Sequence, residues 1–341
     1  MNSSTPIQQA VARVSGGADV PSELMREAMH QIMAGEATPA QIAGFLVGLA
    51  VKGETVAEIV AAARVMRELV RAVDGLEGPL TDIVGTGGDG ASLFNVSTAS
   101  AFVASSGGAR IAKHGNRSVS SKSGAADVLE AAGVRLDLQP DQVREAVANL
   151  GVGFLFAPMH HAAMRHAVAP RRELGIRTLF NLLGPLTNPA GATRIVLGVF
   201  DPRWCLPLAE ALGELGAEHV LVIHSDDGLD EFSIAAPTGV AELVDGAVRE
   251  WRFDPNSVGI GGSLEALRVE TPADSLALIE SALGSTAGPA ADIIALNAGA
   301  ALYVAGQAED HAAGIAQARE ILASGKALER LRAYADWSQS A

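Results

Sequence analysis

Cysteine is almost absent from this sequence, since Cys205 is the only one in 341 residues. A single thiol excludes an intrachain disulfide, and nothing near it has the spacing of a thiolate metal site. Long apolar runs are also missing, because the longest, Ile293 to Ala305, is interrupted by Asn297 and is too short to span a bilayer. The first ten residues do not resemble a secretion signal. These absences predict a cytoplasmic protein with no membrane partner.

Aromatic and basic residues are scarce as well. Aromatics make up 4% of the chain and hydrophobic residues 48%, so the core must consist mainly of closely packed aliphatic side chains. The 25 Lys and Arg residues face 39 Asp and Glu residues, a formal net charge of -14. A surface of this sign repels polyanions, and we therefore expect no nucleic-acid partner. A small anionic ligand is still compatible, because a few basic groups in one cleft outweigh a distant acidic surface.

Residues 1–75 have the pattern of a small all-helical domain. Apolar residues recur there at helical spacing. Each helix is preceded by a capping residue or by a proline suited to a first turn. These start signals are Thr5-Pro6, Pro21-Ser22, Thr38-Pro39 and Thr55.

From residue 76 to residue 341, short β-branched runs alternate with helical stretches. The runs are Asp82 to Val84, Arg110 to Ala112, Ile195 to Phe200 and Val220 to Ile223. The alternation predicts an α/β fold, in which this larger domain has a mainly parallel central sheet covered by helices on both faces. The segment near residues 173–190 is apolar and contains two prolines, and we expect it to return to the helical domain.

A glycine-rich turn at residues 85–90 is the first candidate site. It follows a short strand and precedes a helix that should begin near Asn95 to Thr98. Glycines let backbone N–H groups approach a phosphate closely, and a helix N-terminus adds a favourable dipole. The spacing matches neither the P-loop nor the dinucleotide fingerprint. In a chain with 37 glycines, a tight turn without a ligand is an equally good interpretation at this point.

A second candidate follows the strand that we expect to end at Ala112. Residues 113–123 supply two lysines, an arginine, a histidine, an asparagine and four serines without a large apolar side chain. Such a density of hydrogen-bond donors suits a multiply charged anion. A solvated loop is the less favoured alternative.

Asp230 and Glu231 form a third candidate, after the apolar strand that ends at Ile223. Ligands gather at the carboxyl ends of strands in a parallel sheet, so this position suits a functional role. Adjacent carboxylates point in different directions and can hold two cations more easily than chelate one. The spacing does not match a calcium loop. Considered alone, the segment is better interpreted as an acidic surface turn.

The fourth candidate is a basic segment that contains His160, His161, Arg165, His166, Arg171 and Arg172. Its histidines lack the i, i+4 spacing of a helical zinc site. An arginine here could pair with a ligand carboxylate or be an ordinary surface charge. The sequence contains no nucleophile elbow or paired cysteines, so ordinary hydrolases and dehydrogenases have no supporting residues.

Five motifs, in this order, resemble those of anthranilate phosphoribosyltransferases. They are GTGGD (Gly85 to Asp89), NVST (Asn95 to Thr98), KHGNR (Lys113 to Arg117), RRELGIRTLFNLLGPLTNP (Arg171 to Pro189) and DE (Asp230, Glu231). The resemblance implies a helical N-terminal domain, a larger α/β domain and a reaction cleft between them. It also implies a homodimer formed through the helical domain. The implied reaction, in tryptophan biosynthesis, moves the 5-phosphoribosyl group of phosphoribosyl pyrophosphate onto anthranilate.

The same resemblance implies roles for individual residues. Two magnesium ions would bind Ser97, Asp230 and Glu231, directly or through water. Anthranilate would contact Gly85, Asn116 and Arg171, with His114 and His161 along its access path. The residues implied for phosphoribosyl pyrophosphate are Gly85, Gly88, Asp89, Asn95, Val96, Ser97, Thr98, Lys113, His114, Gly115, Asn116, Arg117, Ser118, Val119, Ser120 and Ser121.

Three positions depart from the family pattern. Leu93 replaces a usual hydroxyl residue, Ala125 a serine and Ala162 a proline. The first two changes remove expected contacts with phosphoribosyl pyrophosphate, and the third alters the access path. A pyrimidine nucleoside phosphorylase is the nearest alternative enzyme, but the adjacent carboxylates and Arg171 favour the transferase. A non-catalytic relative that binds nucleic acid would need a basic face, which the net charge argues against.

Overall fold

The computed structural model describes residues 4–88, 90–118 and 122–341. Within these ranges the α-helices are α1 (Pro6–Ser15), α2 (Ser22–Ala34), α3 (Pro39–Lys52), α4 (Val56–Glu68), α5 (Val96–Ser106), α6 (Ala125–Ala131), α7 (Pro140–Leu150), α8 (Ala157–His160), α9 (Arg165–Leu174), α10 (Leu179–Leu183), α11 (Cys205–Glu214), α12 (Pro272–Leu283), α13 (Pro289–Val304), α14 (His311–Ser324) and α15 (Lys326–Ser340). The strands are β1 (Thr81–Gly85), β2 (Ile111–Gly115), β3 (Val152–Phe156), β4 (Arg194–Gly198), β5 (His219–Ser225), β6 (Thr238–Val244) and β7 (Ala247–Phe253). Short 3₁₀ helices occur at Ala162–Met164, Gly184–Leu186, Pro202–Trp204, Pro255–Val258 and Glu265–Leu267. None of the helices in the described ranges has the length and hydropathy needed to cross a bilayer.

The helix-start signals of the N-terminal region are confirmed. The side chains of Thr5, Thr38 and Thr55 each accept a hydrogen bond from the backbone N–H three residues later, at the starts of α1, α3 and α4. Helix α2 follows Pro21. These caps satisfy backbone donors that have no partner within the helix. The four helix positions therefore follow from local sequence.

The seven strands form one sheet in the order β3-β2-β1-β4-β5-β6-β7. Strands β1 to β5 pair in parallel, and β6 and β7 add an antiparallel hairpin at one edge. The expected small helical domain and larger α/β domain with a mainly parallel sheet are thus confirmed. The parallel strands end together at what we call the carboxyl edge, which is formed by Gly85, Gly115, Phe156, Gly198 and Ser225.

Strand β2 is longer than the sequence pattern indicated. The expected end at Ala112 was wrong, because β2 pairs with β3 from Ile111 through Gly115. Lys113 and His114 consequently lie inside the sheet and are each 4% exposed. An ammonium inside a sheet is costly unless neighbours compensate for its lost hydration, so this position depends on tertiary partners.

Strands β3, β6 and β7 were not predicted, although two of them carry a recognisable signal. The turn between β6 and β7 is Asp245-Gly246, and both residues have positive φ, 52° and 76°. Such a two-residue Asp-Gly turn matches the twist of an antiparallel hairpin. The hairpin was therefore identifiable from sequence.

The two faces of the sheet belong to different buried clusters. Ile195, Leu197 and Val222 pack with α1 to α4 and α11, whereas Val196 and Leu221 pack with α5, α13 and α15 on the opposite face. This division follows from the two-residue repeat of a strand. The first cluster also contains residues of α10 and the following turn, which are Leu179, Phe180, Leu182, Leu183 and Leu186. The N-terminal helices and one sheet face therefore share a continuous core.

Helices α13 and α14 touch through their backbones. A Cβ atom added to Gly299 would lie 2.6 Å from the Ile315 nitrogen, and one added to Gly314 would lie 2.3 Å from the Gly299 oxygen. Backbone atoms cannot rotate away as a flexible side chain can. Glycine is therefore required at both positions for α13 to pack this closely against α14.

We predict that Gly299→Ala lowers the free energy of unfolding by about 1–3 kcal/mol, because the added methyl group overpacks a backbone contact. Gly44→Ala in α3 is the matched control, since its Cβ would meet only Val11 at 3.9 Å. That variant should be more stable by about 0.5–1 kcal/mol, because alanine favours a helix. Urea unfolding measures both values, and a Gly299→Ala protein as stable as wild type would contradict the packing argument.

Candidate active site

The glycine-rich turn leaves β1 at the carboxyl edge with a backbone that favours glycine. Gly87, Gly88 and Gly90 have φ values of 67°, 80° and 75°. The Thr86 N–H donates to the Gly198 oxygen at 2.9 Å, which fixes the start of the turn to β4. Asp89 lies outside the described residues. The turn therefore has the backbone freedom that close approach to a phosphate requires.

Helix α5 begins where the turn ends. The side chain of Asn95 accepts from the Thr98 N–H at 3.0 Å and caps the helix. The Ser97 hydroxyl lies 3.4 Å from the Asn95 Oδ1. The hydroxyl of Thr98 is buried and has no hydrogen-bond partner among the described residues. This helix start thus combines a positive dipole end with side-chain hydroxyls, as an anion site does.

Lys113 brings a cation to the base of this turn. From β2, its Nζ donates to the Ile83 carbonyl oxygen and to the Ser97 Oγ at 3.1 Å. Burial lowers the pKa of Lys113, while the charges of Asp82, Glu231 and Asp230 oppose that shift. These three carboxylates are thus the near negative charges that favour the ammonium form.

Asp82 is the completely buried partner on β1. Its carboxylate accepts from the His114 N–H at 3.0 Å and from the Asn188 amide at 2.7 Å. Burial raises the pKa of Asp82 to about 6, against the attraction of Lys113. The sequence interpretation identified neither Asp82 nor Asn188. A charged residue inside an otherwise apolar strand was the available signal, since buried carboxylates require specific partners.

The acidic pair lies beside the glycine-rich turn. The Gly87 N–H donates to Asp230 Oδ2 at 3.1 Å. A Cβ at Gly85 would lie 2.7 Å from that same oxygen, and a Cβ at Gly198 would lie 1.7 Å from the Asp230 carbonyl oxygen. The structure thus brings together motifs that are more than one hundred residues apart. The interpretation of Asp230 and Glu231 as an isolated surface turn loses its support.

This cluster suits magnesium by its donor chemistry. Ser97, Asp230 and Glu231 offer only oxygen ligands, which hard divalent cations prefer. Among the described residues, no three His, Cys, Asp or Glu side chains gather to hold a metal on their own. Magnesium usually binds to one or two carboxylates and completes its shell with water and ligand phosphates. The three candidate oxygen donors of this cluster are compatible with that mode.

Three buried histidines form a neutral polar region near the end of β2. The His114 and His161 rings lie 5.1 Å apart, and the His160 Nδ1 is 2.7 Å from the Arg71 oxygen. Burial lowers the pKa of His161 to about 4 and also lowers the pKa values of His114 and His160. The Nε2 atoms of all three have no hydrogen-bond partner among the described residues. The region therefore offers polar contacts without positive charge.

Two arginines of the RRELGIRT motif have different surroundings. Arg171 is partly buried, with its guanidinium carbon 5.4 Å from the Phe180 ring centroid. Burial lowers its pKa, and among the described residues it forms no ion pair. Arg177 stacks on Phe200 at 4.0 Å and donates to the Gly88 oxygen. Arg177 was missed from sequence, although it lies within the quoted motif.

Arg117 is paired with carboxylates of α6. Its guanidinium pairs with Glu130 at 2.8 Å and 2.9 Å and with Asp127 at 3.2 Å, both on α6. Asp127 also accepts from the Ser118 N–H at 2.9 Å. The neighbouring predicted residues Val119, Ser120 and Ser121 lie outside the described residues.

The structure places the three residues that depart from the family pattern, Leu93, Ala125 and Ala162, in three different settings. Leu93 forms an antiparallel bridge with Arg268 and packs against the core. Ala125 begins α6, and its Cβ would be 3.2 Å from a Cβ at Gly115. Ala162 begins a 3₁₀ turn directly after His161.

The structure combines a helical bundle with an α/β domain, and its carboxyl edge carries a glycine-rich turn suited to phosphate and a pair of carboxylates. This combination defines a glycosyl transferase architecture. Two family models agree: the helical bundle domain of the glycosyl transferase family matches residues 8–70, and its a/b domain matches residues 77–328. More specifically, the chain belongs to the anthranilate phosphoribosyltransferase family, as the following relatives show.

Curated relatives resemble the chain over almost its whole length. The anthranilate phosphoribosyltransferase of Thioalkalivibrio sulfidiphilus is 58% identical over 98% of this chain and 99% of its own. That of Alkalilimnicola ehrlichii is 58% identical over 96% of this chain and 97% of its own. Among solved structures, the Thermus thermophilus enzyme has a TM-score of 0.91 at 48% identity, covering 97% of this chain and 99% of its own. The Saccharomyces cerevisiae enzyme in complex with PRPP and Mg has a TM-score of 0.90 at 26% identity, covering 98% of both chains.

The buried histidines predict a loss of stability in acid. An unfolded imidazole titrates near 6.5, whereas the pKa of folded His161 is about 4, so the unfolded chain binds the proton first. The free energy of unfolding should therefore fall from pH 6.5 towards pH 4, by about 1.4 kcal/mol per pH unit for each such histidine.

We predict that the free energy of unfolding of His161→Phe depends less steeply on pH than that of the wild type. The difference should correspond to about one proton, because the variant has one fewer imidazole to charge on unfolding. Urea unfolding from pH 4.5 to 7.5 measures it. Met164→Leu, in the same segment, changes packing but no titrating group and should keep the wild-type slope. Equal slopes for His161→Phe and wild type would refute the assignment of a depressed pKa to His161.

Proposed function

We propose that the protein transfers the 5-phosphoribosyl group of phosphoribosyl pyrophosphate to the amine of anthranilate, giving N-(5-phosphoribosyl)anthranilate and pyrophosphate in tryptophan biosynthesis. The observation that best supports this proposal is the cluster of Ser97, Lys113 and the Asp230–Glu231 pair around the glycine-rich turn. Family membership supports the same reaction. The yeast relative has been solved with PRPP and Mg, and also with 4-fluoroanthranilate.

In this proposal phosphoribosyl pyrophosphate lies along the carboxyl edge between β1 and β2. Its phosphates meet the glycine-rich turn, the start of α5 and the segment after β2, where backbone N–H groups and basic side chains are concentrated. Arg117 contributes only after its guanidinium leaves Glu130. The proposed set is Gly85, Gly88, Asp89, Asn95 to Thr98 and Lys113 to Ser121.

Two magnesium ions would be held by Ser97, Asp230 and Glu231, directly or through water. When bound, magnesium neutralises charge on the pyrophosphate leaving group. The buried ammonium of Lys113 stabilises the same negative charge on the leaving pyrophosphate. A fixed cation in a dry site is effective because it needs no reorganisation as charge develops.

Arg171 is proposed to bind the anthranilate carboxylate, with Asn116 and Gly85 near the amine. The lowered pKa values of His114 and His161 keep both imidazoles neutral at pH 7, so they do not compete with Arg171 for that carboxylate. The anthranilate nitrogen forms a bond to ribose C1 while the C1–O bond breaks, and pyrophosphate leaves with the electron pair. The aromatic amine is already neutral at pH 7 and can attack directly. After the bond to C1 has formed, the nitrogen loses a proton to solvent, so we assign no general base. The main contribution of the protein is positioning.

The organisation of the chain in the proposal follows the family. We place the domain boundary near residue 75 and group residues 173–190 with the helical domain, which the shared buried cluster supports. We also propose a homodimer formed through the helical domain. Val51, on α3, is 82% exposed and offers apolar surface there. We propose a cytoplasmic protein that acts on these two substrates and not on nucleic acid or membranes.

The deciding experiment mixes the protein with magnesium, phosphoribosyl pyrophosphate and anthranilate and follows anthranilate fluorescence. We expect the anthranilate fluorescence to fall with time, and only when the protein, magnesium and phosphoribosyl pyrophosphate are all present. Circular dichroism establishes that the protein is folded. A folded protein that leaves the fluorescence unchanged would remove the proposed function.

We predict that Arg171→Ala weakens anthranilate binding by roughly 2–4 kcal/mol, because it removes a charge-assisted contact in a partly desolvated site. Binding of phosphoribosyl pyrophosphate should be almost unchanged. Arg172→Ala is the matched control, since Arg172 is the exposed neighbour on the same helix. Separate calorimetric titrations give both affinities. If Arg171→Ala weakens both substrates equally, the carboxylate assignment fails.

A further inference from the structure

A fully buried asparagine interrupts the apolar helix α13. Asn297 is 0% exposed, with Leu296 and Ala298 equally buried beside it. Its Oδ1 accepts from the Phe232 N–H at 2.9 Å, and its Nδ2 donates to the Phe232 oxygen at 3.0 Å and to the Ile293 oxygen at 2.9 Å. Burying an amide is unfavourable unless its hydrogen bonds are made. Here two of the three bonds go to the backbone of a single residue.

A buried serine holds the same segment from the other side. The Ser225 Oγ, at the end of β5, donates to the Glu231 oxygen at 2.7 Å and accepts from the Ser233 N–H at 3.2 Å. It also lies 2.6 Å from the Thr238 hydroxyl. Ser225 is 0% exposed. The backbone of residues 231–233 is thus fixed both from the sheet and from α13.

These contacts matter because the segment between β5 and β6 has no regular secondary structure to hold it. Its direction at Glu231 and Phe232 depends on side-chain hydrogen bonds. The same helix α13 packs against α5, where the Ser100 hydroxyl lies 3.5 Å from the Ile294 oxygen. Helix α13 therefore contacts both elements that carry the proposed metal ligands, the acidic pair and the helix of Ser97.

We propose that Asn297 and Ser225 are positioning residues for the metal site. They fix the backbone at Glu231 and Phe232, and this sets the carboxylates of Asp230 and Glu231 relative to Ser97. The inference rests on the proposed function for the identity of the site. A purely structural role would predict lower thermal stability but an unchanged metal affinity at temperatures where the protein is folded.

Two variants test the two sets of hydrogen bonds that fix the backbone of residues 231–233. Asn297→Leu keeps the side-chain size but removes both bonds to Phe232 and the bond to Ile293. Ser225→Ala removes the bonds to Glu231 and Ser233 and the contact with the Thr238 hydroxyl. We measure Mn²⁺ binding in the presence of phosphoribosyl pyrophosphate by electron paramagnetic resonance of free Mn²⁺, well below the melting temperature of each variant. Loss of a residue that orients a metal ligand typically weakens metal binding by about 10–100-fold, and we expect about 10-fold for each variant. The magnesium concentration for half-maximal activity should rise in parallel, while KM for anthranilate changes less than about twofold.

Leu302→Ala is the matched control, because it removes packing from the same buried helix at a point where the side chain faces Gly107 on the end of α5. It should lower the melting temperature yet bind Mn²⁺ as wild type does. The double variant Asp230→Asn/Glu231→Gln shows the effect of losing the carboxylates themselves. Mn²⁺ curves of Asn297→Leu and Ser225→Ala that superimpose on wild type would overturn the inference, as would an equal shift in Leu302→Ala. Because Mn²⁺ binding needs no turnover, this result is separate from a failure of the fluorescence assay.

Discussion

Lys113 places an ammonium group inside a parallel sheet, and the surrounding structure compensates for its lost hydration. The Ile83 carbonyl and the Ser97 hydroxyl accept hydrogen bonds from the ammonium, and three carboxylates oppose the fall in its pKa. A buried charge of this kind is tolerated only when such partners are already in place. The start of α5, the end of β1 and the acidic segment after β5 must therefore meet at one point. This requirement locates the site at the carboxyl edge between β1 and β2.

The packing of small residues permits that convergence. Gly85 and Gly198 leave room for Asp230 to cross the ends of β1 and β4, and Gly299 lets α13 approach α14 at backbone contact. Helix α13 in turn holds the acidic segment through Asn297. The proposed metal ligands lie on an irregular segment and would need such support, because a shift of a fraction of an ångström weakens metal binding. Stability of the core and geometry of the site are thus linked through the same helix.

Much of the fold and part of the site could be predicted from residues alone. Thr5, Thr38 and Thr55 marked helix starts because capping is a local interaction. The glycine-rich turn and the acidic pair were recognisable as motifs. Arg117 was assigned to phosphoribosyl pyrophosphate by its motif, but its carboxylate partners Asp127 and Glu130 on α6 were not foreseen. Nothing local indicates whether a cation pairs with a ligand or with a neighbouring helix.

By itself, the sequence determined the elements and the family, because helix caps, β-branched runs and ordered motifs depend on neighbours in the chain. Only the tertiary structure decided that Lys113 lies in β2 rather than in a loop, since that depends on pairing with β3. It also decided the roles of Asp82 and Asn297, which in the sequence are a charge in a strand and an interruption in an apolar run. Their hydrogen bonds reach His114, Asn188 and Phe232, which lie 32, 106 and 65 residues away. Contacts across such distances leave no local pattern, because they exist only after the sheet and helices have packed.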